Sequence, residues 1–387
     1  MSPRKRRLLF LINSLNPGGA ERQLTELVSN LDPSRFETLV VVTYDAAGPG
    51  KEGFYRQVAA VPGVTLACLH KRHGALGYAR SLPRLFRLVQ AFEPDVLHGY
   101  MEGNLPVLLT GALLRKPAVW GIRRSSVDHT KMDLLSRALL RLTIALSGFA
   151  DLVIFNSEAG LRNHRAMGMK GPRMAVVPNG FSMERFHPDP RAGGAWRRSQ
   201  GIPEGVPLLG IVGRLDPVKD HPTFLRAAAR VIRQCPDAHF VCAGGGPGPY
   251  LEALQAQAGS LGLGERVHWP GTCSDMGNVY NALSALLLTS TDEGFPNVLG
   301  EAMACGVPCV TTRVGDAALL VGGTGYVCEV GDDGAIAAAV LALLGEEPPA
   351  KADRSSDARA RIRDHFSVQA LARNTEALLE GVVAGLG

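Results

Sequence analysis

Short apolar runs alternate with longer stretches in which apolar residues recur every three or four positions. Leu8–Ile12, Glu37–Thr43, Val64–Leu69, Val96–His98, Ala118–Ile122, Leu152–Phe155 and Met174–Val177 read as buried strands, with helical spacing between them, as in Ala20–Leu31 and Leu82–Phe92. A second series follows the loop Phe186–Pro190: Leu208–Val212, His239–Ala243, Arg266–Trp269, Ala285–Thr289 and Pro308–Thr311. Alternation of this kind predicts parallel sheets covered by helices on both faces. The stretch Asp189–Glu204 is polar and rich in Pro, Gly and Arg, which places a boundary near residues 180–200. The expected fold class is α/β, with two Rossmann-like doubly wound domains over residues 1–183 and 184–367, and a last helix within 368–387 packing back on the first. Two such domains would set the carboxyl ends of both sheets around a central cleft, where ligands of these folds bind.

A length of 387 residues suits two domains. No stretch reaches the roughly 20 apolar residues of a membrane span. Arg4-Lys5-Arg6-Arg7 and a strand-length apolar run do not resemble a secretory leader. The expected location is therefore cytoplasmic, free or peripheral on the inner face of the membrane. Seven cysteines without a CxxC pair read as reduced, small apolar residues, and Cys305 and Cys309 find no partners that would complete a metal site.

The net charge of +5 hides an asymmetry. Through Met183 there are 24 basic against 13 acidic residues; the remainder has 17 against 23. The basic half, with its Arg4–Arg7 cluster, suits an anionic membrane surface or a lipid-diphosphate acceptor, although plain solvated charge fits equally. Nucleic acid is not an expected partner.

Four segments carry candidate chemistry. Asn16-Pro17-Gly18-Gly19-Ala20-Glu21 follows the first strand and opens a helix, either as an anion-binding turn or as a simple connection. Gly213-Arg214-Leu215-Asp216-Pro217-Val218-Lys219-Asp220-His221 sets two fixed cations in one turn, where they can straddle a diphosphate. Gly244-Gly245-Gly246-Pro247 lets a backbone approach a nucleotide closely or merely reverses the chain. The most specific segment is Glu293-Gly294-Phe295-Pro296-Asn297-Val298-Leu299-Gly300-Glu301. Pro296 suits the first turn of a helix and Gly306 its end, so the N–H groups of Phe295 to Val298 would hold phosphate and sugar oxygens. Glu293 could accept hydrogen bonds from sugar hydroxyls, and Glu301 those of a second polyol.

This last segment resembles the E-x7-E signature of retaining GT-B glycosyltransferases, family 4, the glycosyl transferase group 1 proteins. Gly18-Gly19, the interdomain segment Val177–Phe181, the pair Arg214 and Lys219, Gly244–Pro247 and Gly331-Asp332 are similar to the family's other motifs, in order. The resemblance implies a bacterial polysaccharide-type hexosyltransferase, retaining and metal-independent, that uses a nucleotide-diphosphate sugar, a glycan or lipid-linked acceptor and no cofactor. It implies Arg214 and Lys219 on the donor diphosphate, Glu293 on the sugar and Glu301 on the ribose. Further donor contacts would come from Gly18, Gly19, Gly244, Gly294, Phe295, Pro296, Asn297 and Val298, with the base near His268.

Arg123 stands where many relatives carry a histidine; it could neutralise transition-state charge or serve structural pairing. Gly245 stands where relatives often have an acidic residue. His98 and His129 read as core or surface residues. The competing reading is a non-catalytic nucleotide-sugar-binding subunit of a transferase complex.

Overall fold

The computed structural model describes residues 4–46, 53–71, 75–125 and 133–385. The chain divides into two compact units: residues 1–180 with 368–387, and residues 181–367.

Unit 1 holds a seven-stranded parallel sheet of β1 (Arg6–Ile12), β2 (Phe36–Val42), β3 (Val64–Cys68), β4 (Val96–Tyr100), β5 (Ala118–Ile122), β6 (Leu152–Phe155) and β7 (Met174–Val176). Its spatial order is β3-β2-β1-β4-β5-β6-β7. Side chains of a strand alternate between faces, so Leu8, Phe10 and Ile12 enter one core and Leu9 and Leu11 the other. Both faces are therefore dry, which explains the uninterrupted apolar run in β1.

The helix Val368–Val383 returns to this unit. Leu371, Ala372, Leu379 and Val382 join Leu24, Leu27 and Val28 of helix Gly19–Asn30 in the core beneath β1. Glu376 accepts from the Asp32 N–H at 2.9 Å, and Arg35 pairs with Glu376 at 3.1 Å and with Glu380 at 2.5 Å.

Unit 2 has a six-stranded parallel sheet of β8 (Leu208–Val212), β9 (His239–Ala243), β10 (Val267–Gly271), β11 (Ala285–Leu288), β12 (Cys309–Thr312) and β13 (Tyr326–Cys328), in the order β10-β9-β8-β11-β12-β13. Both sheets carry the doubly wound order, with a switch point between the first and fourth strands. The two-domain Rossmann-like arrangement is thus the observed one.

Two differences from the sequence reading have local causes. Edge strand β13 has only three residues, Tyr326–Cys328, an apolar run too short to stand out as a strand. The helix expected from Leu82 begins at Ala75 and continues through Pro83, whose ring reads locally as a helix start; Leu85 and Val89, buried farther along, anchor it. Among the described residues, no helix is long and apolar enough to cross a membrane.

All seven cysteines are free, and burial pushes the Cys305 thiol up to about 12. With residues 368–387 assigned to unit 1, that unit has 25 basic and 15 acidic residues, and unit 2 has 16 and 21.

Candidate functional site

In unit 2 the loops at the carboxyl ends of β8 and β11 bring two sequence motifs into contact. Residues Pro217–Lys219 form a single 3-10 turn, and Asp220 then takes the left-handed conformation at φ 49°. This conformation persists because the Asp220 carboxylate caps the helix His221–Val231, accepting from the Thr223 N–H at 3.2 Å. From the end of β11, Thr289 Oγ1 donates to the Lys219 and Asp220 carbonyls at 2.9 and 3.0 Å. The Thr291 N–H donates to the Val218 carbonyl at 2.8 Å.

So fixed, Lys219 Nζ donates to Glu293 Oε1 at 2.5 Å, and Ser290 Oγ donates to the same oxygen at 2.8 Å. The two charged side chains are only 20% and 15% exposed, which makes this a largely desolvated pair. Arg214, five residues earlier, is 83% exposed, with Asp216 at 3.4 Å. One shielded cation and one extended cation therefore flank the same sheet edge.

The glycine run is explained by packing. A Cβ on Gly244 would overlap the Gly213 carbonyl, one on Gly246 would overlap Leu215, and one on Gly245 would press on Thr272 Oγ1. The Leu215 N–H donates to the Gly245 carbonyl at 2.9 Å, so the loops after β8 and β9 are laced together. Gly244 thus holds the Arg214 loop in place.

The helix after Glu293 spans Asn297–Ala304, with Pro296 as its N-cap rather than in its first turn. Proline has no N–H, so the expected donor row from Phe295 to Val298 is interrupted at Pro296. The Gly294 carbonyl accepts from the Asp316 N–H at 2.9 Å. Phe295 is a core residue, stacked on Phe181 with centroids 6.2 Å apart and tilted against Phe366 at 5.6 Å. Val298 packs against the same core. Gly306, at φ 77°, ends the helix as expected.

Glu301, one helical turn beyond Asn297, is buried and accepts from Tyr280 Oη at 2.6 Å. Tyr280 and Ser290 were not legible as partners, because each is defined by a contact across the fold rather than by a motif.

His268 is not brought to this cluster. Its Nε2 lies 2.9 Å from His239 Nδ1 and the rings stack at 5.2 Å, with His239 the first residue of β9 and so at the opposite end of that strand. Burial, then the neighbouring His239, lowers its proton affinity.

His221, directly after Asp220, is buried with neither ring nitrogen partnered within the protein. Burial first, and then the Lys219 cation, pushes it down to about 4. An unfolded chain takes up this proton near pH 6.5. Stability present above that value is therefore lost as the pH falls towards the folded value, by about 3 kcal/mol in full. In urea titrations across that window, His221→Asn should lose stability less steeply than the native chain; parallel slopes would rule out His221 as the source.

In unit 1, Gly18 is the N-cap of helix Gly19–Asn30, and a Cβ there would overlap the Glu21 carboxylate, which folds back over the loop. Burial chiefly, with Glu102 nearby, raises the Glu21 pKa. Glu102 accepts from Asn13 Nδ2 at 3.1 Å. The amino end of this helix is thus lined by Glu21, with Glu102 nearby.

Arg123, at the end of β5, donates from Nη2 to Tyr100 Oη at 2.9 Å and lies 4.7 Å from that ring's centre. Its Nε and Nη1 are buried without partners. His98 is buried against Tyr100 and held well below its ordinary pKa, first by burial and then by Arg123. His129 lies outside the described residues. Asp45, Cys68 and His70, at the ends of β2 and β3, gather three possible ligand atoms within 4.8 Å of one another, a grouping no sequence spacing announces.

Residues 17–185 match Glycosyltransferase Family 4, and residues 206–346 match Glycosyl transferases group 1. The chain is 34% identical to a D-inositol 3-phosphate glycosyltransferase of Corynebacterium urealyticum, over 83% of this chain and 75% of that one. It is 32% identical to a GDP-mannose-dependent alpha-(1-6)-phosphatidylinositol monomannoside mannosyltransferase of Mycolicibacterium smegmatis, over 68% of this chain and 70% of that one. Anabaena Alr3699/HepE in complex with UDP superposes with a TM-score of 0.80 at 24% identity, covering 97% of this chain and all of the other. Its complex with UDP-glucose gives 0.79 at 25% identity, covering 97% and 99%. Sequence matches spanning both units, and a shared two-domain GT-B fold, place this chain in glycosyltransferase family 4.

Proposed function

We propose that this glycosyltransferase moves a sugar from a nucleoside-diphosphate donor to a glycan or lipid-linked acceptor, with retention of configuration, without metal or cofactor, in cell-surface polysaccharide assembly. The observation that carries the reading is the shielded Lys219–Glu293 pair, 2.5 Å apart, beside the extended Arg214 at the carboxyl edge of the second sheet.

In this reading unit 2 takes the donor. Lys219 and Arg214 meet the two phosphates, and their charge stabilises the diphosphate as the bond from the sugar C1 to the phosphate oxygen breaks with its electron pair. The Asn297–Ala304 helix start adds a positive end to the same region. Glu293 keeps Oε1 on Lys219 and Ser290 and offers Oε2 to sugar hydroxyls, so it positions the sugar and does not attack it. The acceptor oxygen bonds to C1 on the face the phosphate leaves, and its proton passes to the departing phosphate oxygen. Glu301, oriented by Tyr280, takes the ribose. Unit 1 takes the acceptor, and the Arg123 guanidinium, held beside Tyr100 with Nε and Nη1 buried, acts on developing negative charge through its field rather than by a direct hydrogen bond. The positive excess of unit 1 fits an anionic membrane surface.

The purified chain should be screened against nucleotide sugars for slow donor hydrolysis, beginning with UDP-glucose and GDP-mannose. Binding of a donor without turnover would favour the non-catalytic reading. Turnover should persist in excess EDTA, because two fixed cations supply the charge a metal would otherwise bring. Loss of activity in chelator and its return with magnesium or manganese would refute the metal-free step.

A further inference from the structure

Eight large apolar side chains stand exposed among the described residues, and six of them lie together in unit 1. Leu109 and Leu113 project from helix Asn104–Leu114, Leu134, Leu139 and Leu142 from helix Leu134–Leu146, and Phe149 from the turn that follows. Leu113 is 75% and Leu134 83% exposed, so these are not marginal cases. The first helix carries no charged side chain and is apolar on its open side as well as its buried one. A helix of that kind belongs in a core or against lipid.

Leu109, Leu139 and Phe149 are joined by two shared hollows, and Leu113 and Leu142 stand one helical turn from Leu109 and Leu139. Leu109 lines a hollow of about 230 Å³ with Leu105, Leu139 and Met101, and a second of about 610 Å³ with Phe149 and Arg115. The two helices are therefore neighbours, with apolar grooves between them.

Cations accompany these helices, and Arg115 and Lys116 line the larger hollow. Arg137 and Arg141 are the sole charges of the second helix, and Arg115 and Lys116 follow the first. Three carboxylates lie nearby, each held by a neutral donor that leaves its charge in place: Asp133 accepts from the Ser136 N–H at 2.6 Å, Asp151 from the Ala118 N–H at 2.8 Å, and Glu102 from Asn13 at 3.1 Å, so the cations outnumber the anions by four to three.

We infer that this face docks on a bilayer containing anionic lipid. The leucines and Phe149 enter the acyl boundary while Arg115, Lys116, Arg137 and Arg141 meet the headgroup phosphates. The inference rests on the membrane reading above and relocates it. The Arg4–Arg7 cluster is partly neutralised within the protein, by Arg7 on Glu37 at 2.9 Å and Arg4 near Asp95 at 3.6 Å, and it opens β1 at the amino edge of the sheet. The leucine face runs from that amino edge, where Arg115, Lys116 and Phe149 precede β5 and β6, to the carboxyl edge, where Met101 and Glu102 at the end of β4 line its smaller groove. A lipid-linked acceptor could approach the carboxyl edge while its chain stays in the bilayer.

A purely basic patch would release its vesicles in high salt, whereas buried leucines leave a salt-resistant fraction. The test is co-sedimentation of the full chain with phosphatidylcholine vesicles, with and without phosphatidylglycerol, at low and high salt. The variant Leu113→Gln/Leu142→Gln/Phe149→Gln should bind anionic vesicles at least about tenfold more weakly, with unchanged circular dichroism and unchanged donor hydrolysis in solution. The single variant Leu113→Gln, at a site open to water, should lose a smaller part in the same direction. Arg137→Gln/Arg141→Gln should weaken the preference for anionic lipid but keep the salt-resistant fraction.

If the leucine variants bind as the native chain does while neutral residues at Lys5, Arg6 and Arg7 abolish binding, the membrane reading survives and this assignment falls. If the native chain binds no vesicles, both fall. If the leucine variants change only the oligomeric state in light scattering, the face belongs to a second copy of the chain and the inference is overturned.

Discussion

Glu293→Ala and Lys219→Ala should each lower turnover at least about a hundredfold, the equivalent of roughly 2.7–4 kcal/mol of transition-state stabilisation. The structure adds a condition that separate roles would not. Lys219 Nζ and Glu293 Oε1 are 2.5 Å apart and mostly shielded, so deleting either leaves the other charge unpaired in a poorly solvated place. The effects should therefore be far from additive, with the double variant about as slow as the slower single one. Ser290→Ala, which removes the second donor to the same oxygen, should cost less. Initial rates with saturating donor, on variants shown to be folded, decide the matter. Near-native turnover in either charge deletion would sink the site assignment, and strictly multiplicative losses would mean that the two residues do not act as one unit.

Gly300→Ala should lower the melting temperature by about 2–12 °C, from an overpacking cost of typically 1–3 kcal/mol at roughly 2–4 °C per kcal/mol in a domain of this size. A Cβ at this position would fall within the Phe181 ring. That ring cannot swing aside freely, because it is buried and stacked on Phe295, which in turn packs on Phe366. The helix would have to shift, carrying Glu301 away from Tyr280. Activity should fall along with stability, and Phe181→Leu should restore part of both in the Gly300→Ala background. An unchanged melting temperature would show that the ring yields. The contact gives two sequence motifs one cause: the aromatic residue of Val177–Phe181 and the glycine before Glu301 are the two halves of one close packing.

Much of the fold could be read without coordinates. Every strand of the first sheet and all but one of the second begin or end within two residues of their apolar runs, because a strand buried on both faces must be apolar at nearly every position. The last helix matches its amphipathic segment for the same kind of reason: its apolar stripe has to be covered. The sequence also supplied the chemistry of the candidate site, since Arg214, Lys219 and the two glutamates are residue types that bind phosphate and polyols wherever a fold presents them.

Pairing across the fold was beyond it. Whether Lys219 faces Glu293 depends on Thr289 and Thr291 tying the β8 loop to the end of β11, contacts some 70 residues apart in sequence. The same holds for His268, whose stacking on His239 no motif announces, and for the glycine run at 244–246, which is required by neighbouring loops. The leucine-rich face is the clearest instance. Leu109, Leu139 and Phe149 each look like core residues by hydropathy, and only the packing of their helices shows which side of each is left uncovered. Local pattern thus fixed which segments are strands and helices, and which residue types are present to act. Long-range packing decided which of those residues meet, because contact is a property of the folded chain that no single stretch of it encodes.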